Sequence, residues 1–272
     1  REENAITLAA TANNGRIIEE PIPGGIVSPK GKLIYIIALV IGIGIPISII
    51  YLLNLLRFRI EGHTDVEKLT TVPIIGDIPL TDAGKNGTPT IAVRENDNNI
   101  MAETFRSLRT NLLFIMGDPD KKVILVTSTI SGEGKTFMAS NLAVSLALLG
   151  KKVILVGLDI RKPGLNKIFH LSHKEKGITQ YLAAPQSTDL HALIQPSGIT
   201  SNLDLLLGGP IPPNPTELLA RQSLEDTIST LRKEYDYIVL DTAPIGMVTD
   251  TLILSRVADA SIYVCRADYT HK

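Results

Sequence analysis

A lysine and a threonine that follow a glycine-containing turn, and two aspartates that each follow an apolar run, have the types and spacing that suit phosphate chemistry. The first pair ends Val123–Thr136, which reads V-I-L-V-T-S-T-I-S-G-E-G-K-T. An apolar, β-branched run breaks there into a small polar turn, and the turn opens a periodic run from Phe137 to Leu149. The pattern predicts a buried strand, a loop and a helix. Such a loop aims backbone N–H groups at an anion from a helix N-terminus, and Gly132 and Gly134 let the backbone approach a phosphate closely. The stretch Ser131, Gly132, Glu133, Gly134, Lys135, Thr136 and Phe137 is expected to cradle a nucleotide. Lys135 would reach its β- and γ-phosphates, and the Thr136 hydroxyl would ligate Mg²⁺. The full pattern has a glycine where this chain has Thr129. An ordinary strand-to-helix turn is the bland alternative, and it leaves the lysine and the threonine without a task.

The aspartates lie in G-L-D-I-R-K-P, Gly157–Pro163, and in Y-I-V-L-D-T-A-P, Tyr237–Pro244. Asp159 and Arg161 are expected to point at the phosphate loop from a neighbouring strand. Asp241, directly after four apolar residues, can hold the water shell of Mg²⁺, which takes one or two carboxylates together with waters and phosphate oxygens. Either aspartate alone has a bland reading as a helix cap. Taken in order with Lys135, the two read as a nucleotide and metal site.

Elements of one kind must position these groups. Apolar runs recur at Val123–Val126, Val153–Val156, Leu203–Leu207, Tyr237–Leu240 and Ser261–Cys265, with helical stretches between them that include Lys135–Leu149 and Pro215–Lys233. Continuous apolar strands alternating with helices predict an α/β fold, a doubly wound and mostly parallel sheet of the P-loop kind. Ligands of such sheets sit at the C-terminal ends of the strands, where all three motifs fall.

Upstream, Leu33–Leu53 carries no charge over about 21 residues, long enough at the helical rise to cross a bilayer core of roughly 30 Å. A transmembrane helix is expected over 31–57, its uncharged run bracketed by Lys30 and Lys32 on one side and Arg57 and Arg59 on the other, and bent near Pro46. The flanking charges balance, so the nucleotide loop sets the orientation: residues 100–272 face the cytoplasm and residues 1–30 face outward. Residues 58–99 read as a strip, Thr64–Leu80, followed by a flexible tether, Thr81–Asn99. Net charge is −1, with 27 basic and 28 acidic residues, so nothing points to a nucleic acid partner. The single Cys265 excludes an internal disulfide and reads as a packed thiol. The chain opens on Arg1, and we expect it to be a piece of a longer protein.

Together S-G-E-G-K-T, L-D-I-R-K-P and V-L-D-T-A-P resemble the bacterial tyrosine kinases of the polysaccharide co-polymerase group, the Wzc-like membrane proteins. The resemblance extends over R-E-E-N at the start, S-P-K before the membrane, P-I-I-G-D-I-P, and G-G-P-I-P-P-N-P-T-E-L-L at Gly208–Leu219. It implies an ATP-dependent protein-tyrosine autokinase of the bacterial inner membrane that governs capsule or exopolysaccharide assembly. ATP or ADP and Mg²⁺ would be its cofactors. Lys135 would bind phosphate, Thr136, Asp159 and Asp241 would serve the metal, and Asp159 would assist the attacking tyrosine hydroxyl. Asn214 would contact the base or ribose, or else cap the following helix.

Glu103, Arg106 and Arg109 form E-x-x-R-x-x-R along one helical face. Alone they read as a solvated face. The resemblance makes them the motif that packs subunits into a ring-shaped homo-oligomer, with a polysaccharide polymerase, export machinery and a tyrosine phosphatase as further partners. The family phosphorylates a C-terminal tyrosine cluster, and Tyr269 alone lies near the end here, so an acceptor tail is expected beyond Lys272. Two departures bear on activity. The family's second motif has two acids, and Gly157 takes the place of the first. Ile130 stands where the related partitioning ATPases carry a signature lysine. The alternative to an active kinase is an ATP-binding scaffold that sets polysaccharide chain length.

Overall fold

The computed structural model describes residues 24, 30–55, 58–80, 90–95, 99–171 and 176–272, and these divide into two units at Arg57. Expectations for the polar stretch before Lys30, and for 81–89 and 96–98 of the tether, fall outside the described residues. The first unit is one helix, α1 (Gly31–Leu55), which continues through Pro46. Its length and apolar composition suffice to cross a membrane over Gly31–Leu53.

The second unit is built on a six-stranded sheet of β1 (Val123–Ser128), β2 (Val153–Gly157), β3 (Ile194–Pro196), β4 (Leu203–Leu206), β5 (Tyr237–Asp241) and β6 (Ala260–Val264). The spatial order is β3-β4-β2-β5-β1-β6, and every pair is parallel except β3 on β4 at one edge. All six residues of β1 and all five of β2 are buried, as strands covered on both faces must be. Successive residues feed opposite layers. Ile124 and Val126 join a core with Phe105, Leu108 and Leu142, while Val123 and Leu125 join one with Leu182, Leu224 and Ile228.

The first layer is supplied by α3 (Ile100–Met116) and α4 (Lys135–Ala147), which follow α2 (His63–Leu69) in the chain. Asn99 caps α3, its Oδ1 accepting from Ala102 N at 2.8 Å, and Gly117 ends it with φ 59°. The buried Met101, Phe105, Leu108, Leu112 and Met116 mark its inner stripe. After the short α5 (Leu165–Ile168), the second layer is built by α6 (Ile178–Ala183), α7 (Pro215–Leu219), α8 (Gln222–Glu234) and α9 (Asp250–Leu254).

Three expectations need correction. The single helix expected over Pro215–Lys233 is two, because Arg221 adopts an extended backbone (φ −68°, ψ 152°) that starts α8 anew. The edge strand β3 was not expected at all. Part of the expected tether is pinned: Ile91 and Val93 are buried, and the backbone N–H groups of Ala92 and Val93 donate to Asn141 Oδ1 at 2.7 and 3.1 Å. Within the preceding strip, Ile75 and Ile78 pack on the core, and Ile75 O accepts from Asn111 Nδ2 at 2.8 Å.

Candidate nucleotide and phosphoryl-transfer site

The site lies where β1, β2 and β5 end. Register places Val126 and Gly157 beside Asp241, so β2 and β5 stop at one level and β1 runs two residues further, to Ser128. The backbone ties the next residues together, with Leu158 N and Asp159 N donating to Asp241 O at 2.8 and 2.9 Å. Asp159 is thereby held next to Asp241, and its Oδ1 accepts from Lys162 N at 3.0 Å.

Between β1 and α4 the loop turns through Gly132 (φ 92°) and Gly134 (φ 98°), both in the region that favours glycine. Thr129 does not have a positive φ, so the missing glycine of the full pattern is not required here. Its hydroxyl pairs with Tyr263 OH at 2.7 Å, and its carbonyl accepts from Gly246 N at 3.0 Å. Lys135 and Thr136 then open α4. The Thr136 hydroxyl lies beside the Asp241 carboxylate and stabilises its charge, and Lys135, 6% exposed, lies within electrostatic reach of both Asp159 and Asp241. Gly164 closes over this corner, for a Cβ there would meet Thr136 Oγ1 at 3.1 Å.

Electrostatics follow from burial. Asp241 is 1% exposed and its carboxyl is pushed up to about 7, first by burial and then by the Asp159 charge, against the pull of Thr136 and Lys135. Burial likewise raises Asp159, with Lys162 N–H and Lys135 opposing. Asp241 Oδ1 is buried without a hydrogen-bond partner. An orphaned carboxylate oxygen beside a threonine hydroxyl, in a corner shared with a lysine, fits a hard cation that takes oxygen ligands. Among the described residues no three His, Cys, Asp or Glu side chains gather around a common point, so such a cation would need phosphate oxygens and waters as well.

The other expected residues are placed as follows. The Glu133 side chain turns inward, 4% exposed, and its Oε2 accepts from Ile130 N at 2.7 Å. The Phe137 ring packs edge-on against Phe105, centroids 5.9 Å apart. Ser131 and Gly132 are exposed loop residues whose carbonyls accept from Tyr269 and Arg266. Arg161 is committed to α7 and α9 instead of reaching the phosphate loop, donating to Asp250 and to Thr216 Oγ1 at 2.9 Å. Asn214 leads α7 with its side chain exposed and not capping the helix. On α3, Glu103 and Arg106 pair with each other. Arg109 donates from Nη1 to Ser145 O at 2.6 Å within its own chain.

Comparison with known proteins places this geometry. Residues 121–269, just over half of the chain, match the family described as AAA domain. The chain is 38% identical over 174 residues to the tyrosine-protein kinase YwqD of Bacillus subtilis, covering 64% of this chain and 72% of that protein. The chain belongs to the bacterial tyrosine-protein kinases. Another member of this kinase family, Wzc of Salmonella typhi, is 29% identical over 280 residues, which cover 98% of this chain and 38% of Wzc. This chain thus spans well under half the length of that relative. The solved BceF tyrosine kinase domain superposes with a TM-score of 0.69 at 30% identity, over 79% of this chain and 89% of that one.

Sequence reasoning missed Asp250 and Gly164, which no local motif marks because each acts through a partner distant in the chain, and it gave Thr216, inside the Gly208–Leu219 stretch, no role.

Proposed function

We propose that this chain is the membrane-proximal and catalytic part of an ATP-dependent protein-tyrosine kinase. The orphaned Asp241 oxygen beside Thr136, in the corner that Lys135 shares, carries the reading. Backbone N–H groups of 131–136 and the Lys135 ammonium bind the phosphates of ATP, and Thr136 and Asp241 hold Mg²⁺. When bound there, the ion would supply positive charge that offsets the charge of the phosphates. In the transfer, the tyrosine oxygen forms a bond to the γ-phosphorus while the bond from that phosphorus to the β–γ bridging oxygen breaks, releasing ADP. Asp159 takes the hydroxyl proton. Its raised affinity for protons suits that task. Asn214, exposed at the head of α7, is the base or ribose contact.

The apolar α1 anchors the chain in the bacterial inner membrane with Phe58–Lys272 on the cytoplasmic side, since ATP is there. The motif resemblance assigns the whole protein to control of polysaccharide assembly, as a homo-oligomer with polymerase, export and phosphatase partners. One observation favours a scaffold that holds ATP with weak transfer. Gly157, in register with Asp241, supplies no acid, and a Cβ there would meet Gly208 N and Leu165 Cδ1 at 3.1 Å.

Titration of the detergent-solubilised chain with Mg-ATP by calorimetry tests the binding half of the proposal. Saturable binding that Lys135→Ala weakens by about tenfold or more is expected. Equal binding by parent and variant would contradict it.

A further inference from the structure

The turn after β6 is built onto the phosphate loop. It is a closed unit: Arg266 N donates to Thr270 Oγ1 at 2.8 Å, Thr270 N returns to Arg266 O at 2.9 Å, and Asp268 takes φ 59° between them. Three side chains reach from it to three successive loop residues. The Tyr269 hydroxyl donates to Ser131 O at 2.9 Å, Arg266 Nη1 donates to Gly132 O at 3.0 Å, and the Thr270 hydroxyl donates to the Glu133 carboxylate. The fit is close, since a Cβ on Gly132 would stand 3.0 Å from the Tyr269 hydroxyl.

Its other side is fastened to the segment that follows α1 in the chain. Ile60 N donates to Thr270 O at 2.9 Å, Asp268 N to Ile60 O at 2.8 Å, and Lys272 N to Phe58 O at 2.7 Å. Lys272 Nζ also lies 3.0 Å from Asp65 Oδ1.

Glu133 is the hinge of the arrangement. One oxygen accepts from Ile130 N across the mouth of the loop, and the other accepts from Thr270. Glu133 is 4% and Thr270 1% exposed, so a carboxylate deprived of the Thr270 hydroxyl would keep an unpaired charged oxygen away from water. Rotating out to solvent relieves that, and it releases Ile130 N. The loop's N–H groups then lose the shape that lets them converge on one phosphate.

We propose that Thr270, acting through Glu133, and Tyr269, acting through Ser131, are positioning residues that hold the phosphate loop in its nucleotide-binding shape. The proposal rests on the nucleotide-binding reading above. Neither residue touches the nucleotide. Their effect is on affinity, not on the chemical groups of transfer.

The test uses the full chain in detergent micelles, with methylanthraniloyl-ADP and Mg²⁺ as the probe, and compares the parent with Thr270→Val, Thr270→Ser and Tyr269→Phe. Val matches Thr in shape and lacks only the hydroxyl. Thr270→Val should weaken the probe by about three- to tenfold, Tyr269→Phe by about twofold or more, and Thr270→Ser should bind within about twofold of the parent. In turnover the loss should appear in KM for ATP with kcat kept, whereas damage to folding would lower the active fraction and leave the Kd of the remainder unmoved. If Thr270→Val does not fold, Tyr269→Phe decides by the same readout. Parental affinity in both Thr270→Val and Tyr269→Phe overturns the proposal alone. A parent that does not bind the probe overturns the nucleotide-binding reading, and the positioning role with it.

Discussion

Arg161 and Asp250 are joined by two hydrogen bonds, Nε to Oδ2 at 2.7 Å and Nη2 to Oδ1 at 3.1 Å, and Thr216 Oγ1 closes the triangle on Asp250 at 2.8 Å. The contact binds the loop after β2 to α7 and α9. It fixes the Asp159 loop relative to the segment that carries Asn214. Although burial alone would raise the Asp250 carboxyl, its bonds to Arg161 and Thr216 hold it below the ordinary value of 3.8.

Asp250→Asn should therefore destabilise the protein by about 2 kcal/mol in urea unfolding, the Arg161 side being partly exposed. The carboxylate's contribution is present above the ordinary value and is lost as pH falls through the lowered folded one. An unchanged midpoint at pH 7 would show that the pair contributes nothing net.

Asp241 gives the opposite sign. Its folded carboxyl sits at about 7 against 3.8 ordinarily, so between those values the folded state holds a proton that the unfolded state has lost. Stability without Mg²⁺ and nucleotide should fall as pH rises from about 4 to about 7, through this group. Asp241→Asn should flatten that part of the profile, measured by thermal unfolding in a chelating buffer. A variant with the parent's slope would contradict the assignment.

The two arginines of α3 should separate. Arg109→Ala removes a charge-assisted bond to Ser145 O and should cost about 1 to 2 kcal/mol of unfolding stability. Arg106→Ala breaks an exposed pair with Glu103 and should stay within about 0.5 kcal/mol of the parent. If α3 packs subunits, the Arg106 variant is the one that dissociates on sizing with light scattering without loss of stability. An unchanged assembly would remove that residue from the interface.

How far the sequence reaches is visible in single elements. β1 was legible because V-I-L-V-T-S is an apolar β-branched run buried on both faces, and the loop after it because Gly132 and Gly134 need positive φ. β3 was not, since Ile194–Pro196 is three residues long and includes a glutamine and a proline. The break between α7 and α8 has no glycine or proline to mark it. It is held by tertiary bonds, with Arg221 Nη1 on Ala183 O at 3.1 Å and Arg256 Nη2 on Arg221 O at 3.1 Å. Arg161 was placed in the right neighbourhood with the wrong partner, because Thr216 and Asp250 lie 55 and 89 residues away.

The central claim, that this site transfers phosphate from ATP to tyrosine, is tested most directly by phosphotyrosine formation on a Glu-Tyr copolymer. The purified chain is given Mg-ATP beside Lys135→Ala and Asp241→Asn. Labelling by the parent that drops at least about 100-fold in both variants is the predicted result. Tight Mg-ATP binding by the parent with no labelling of the copolymer above that of Lys135→Ala would contradict the kinase and leave the scaffold.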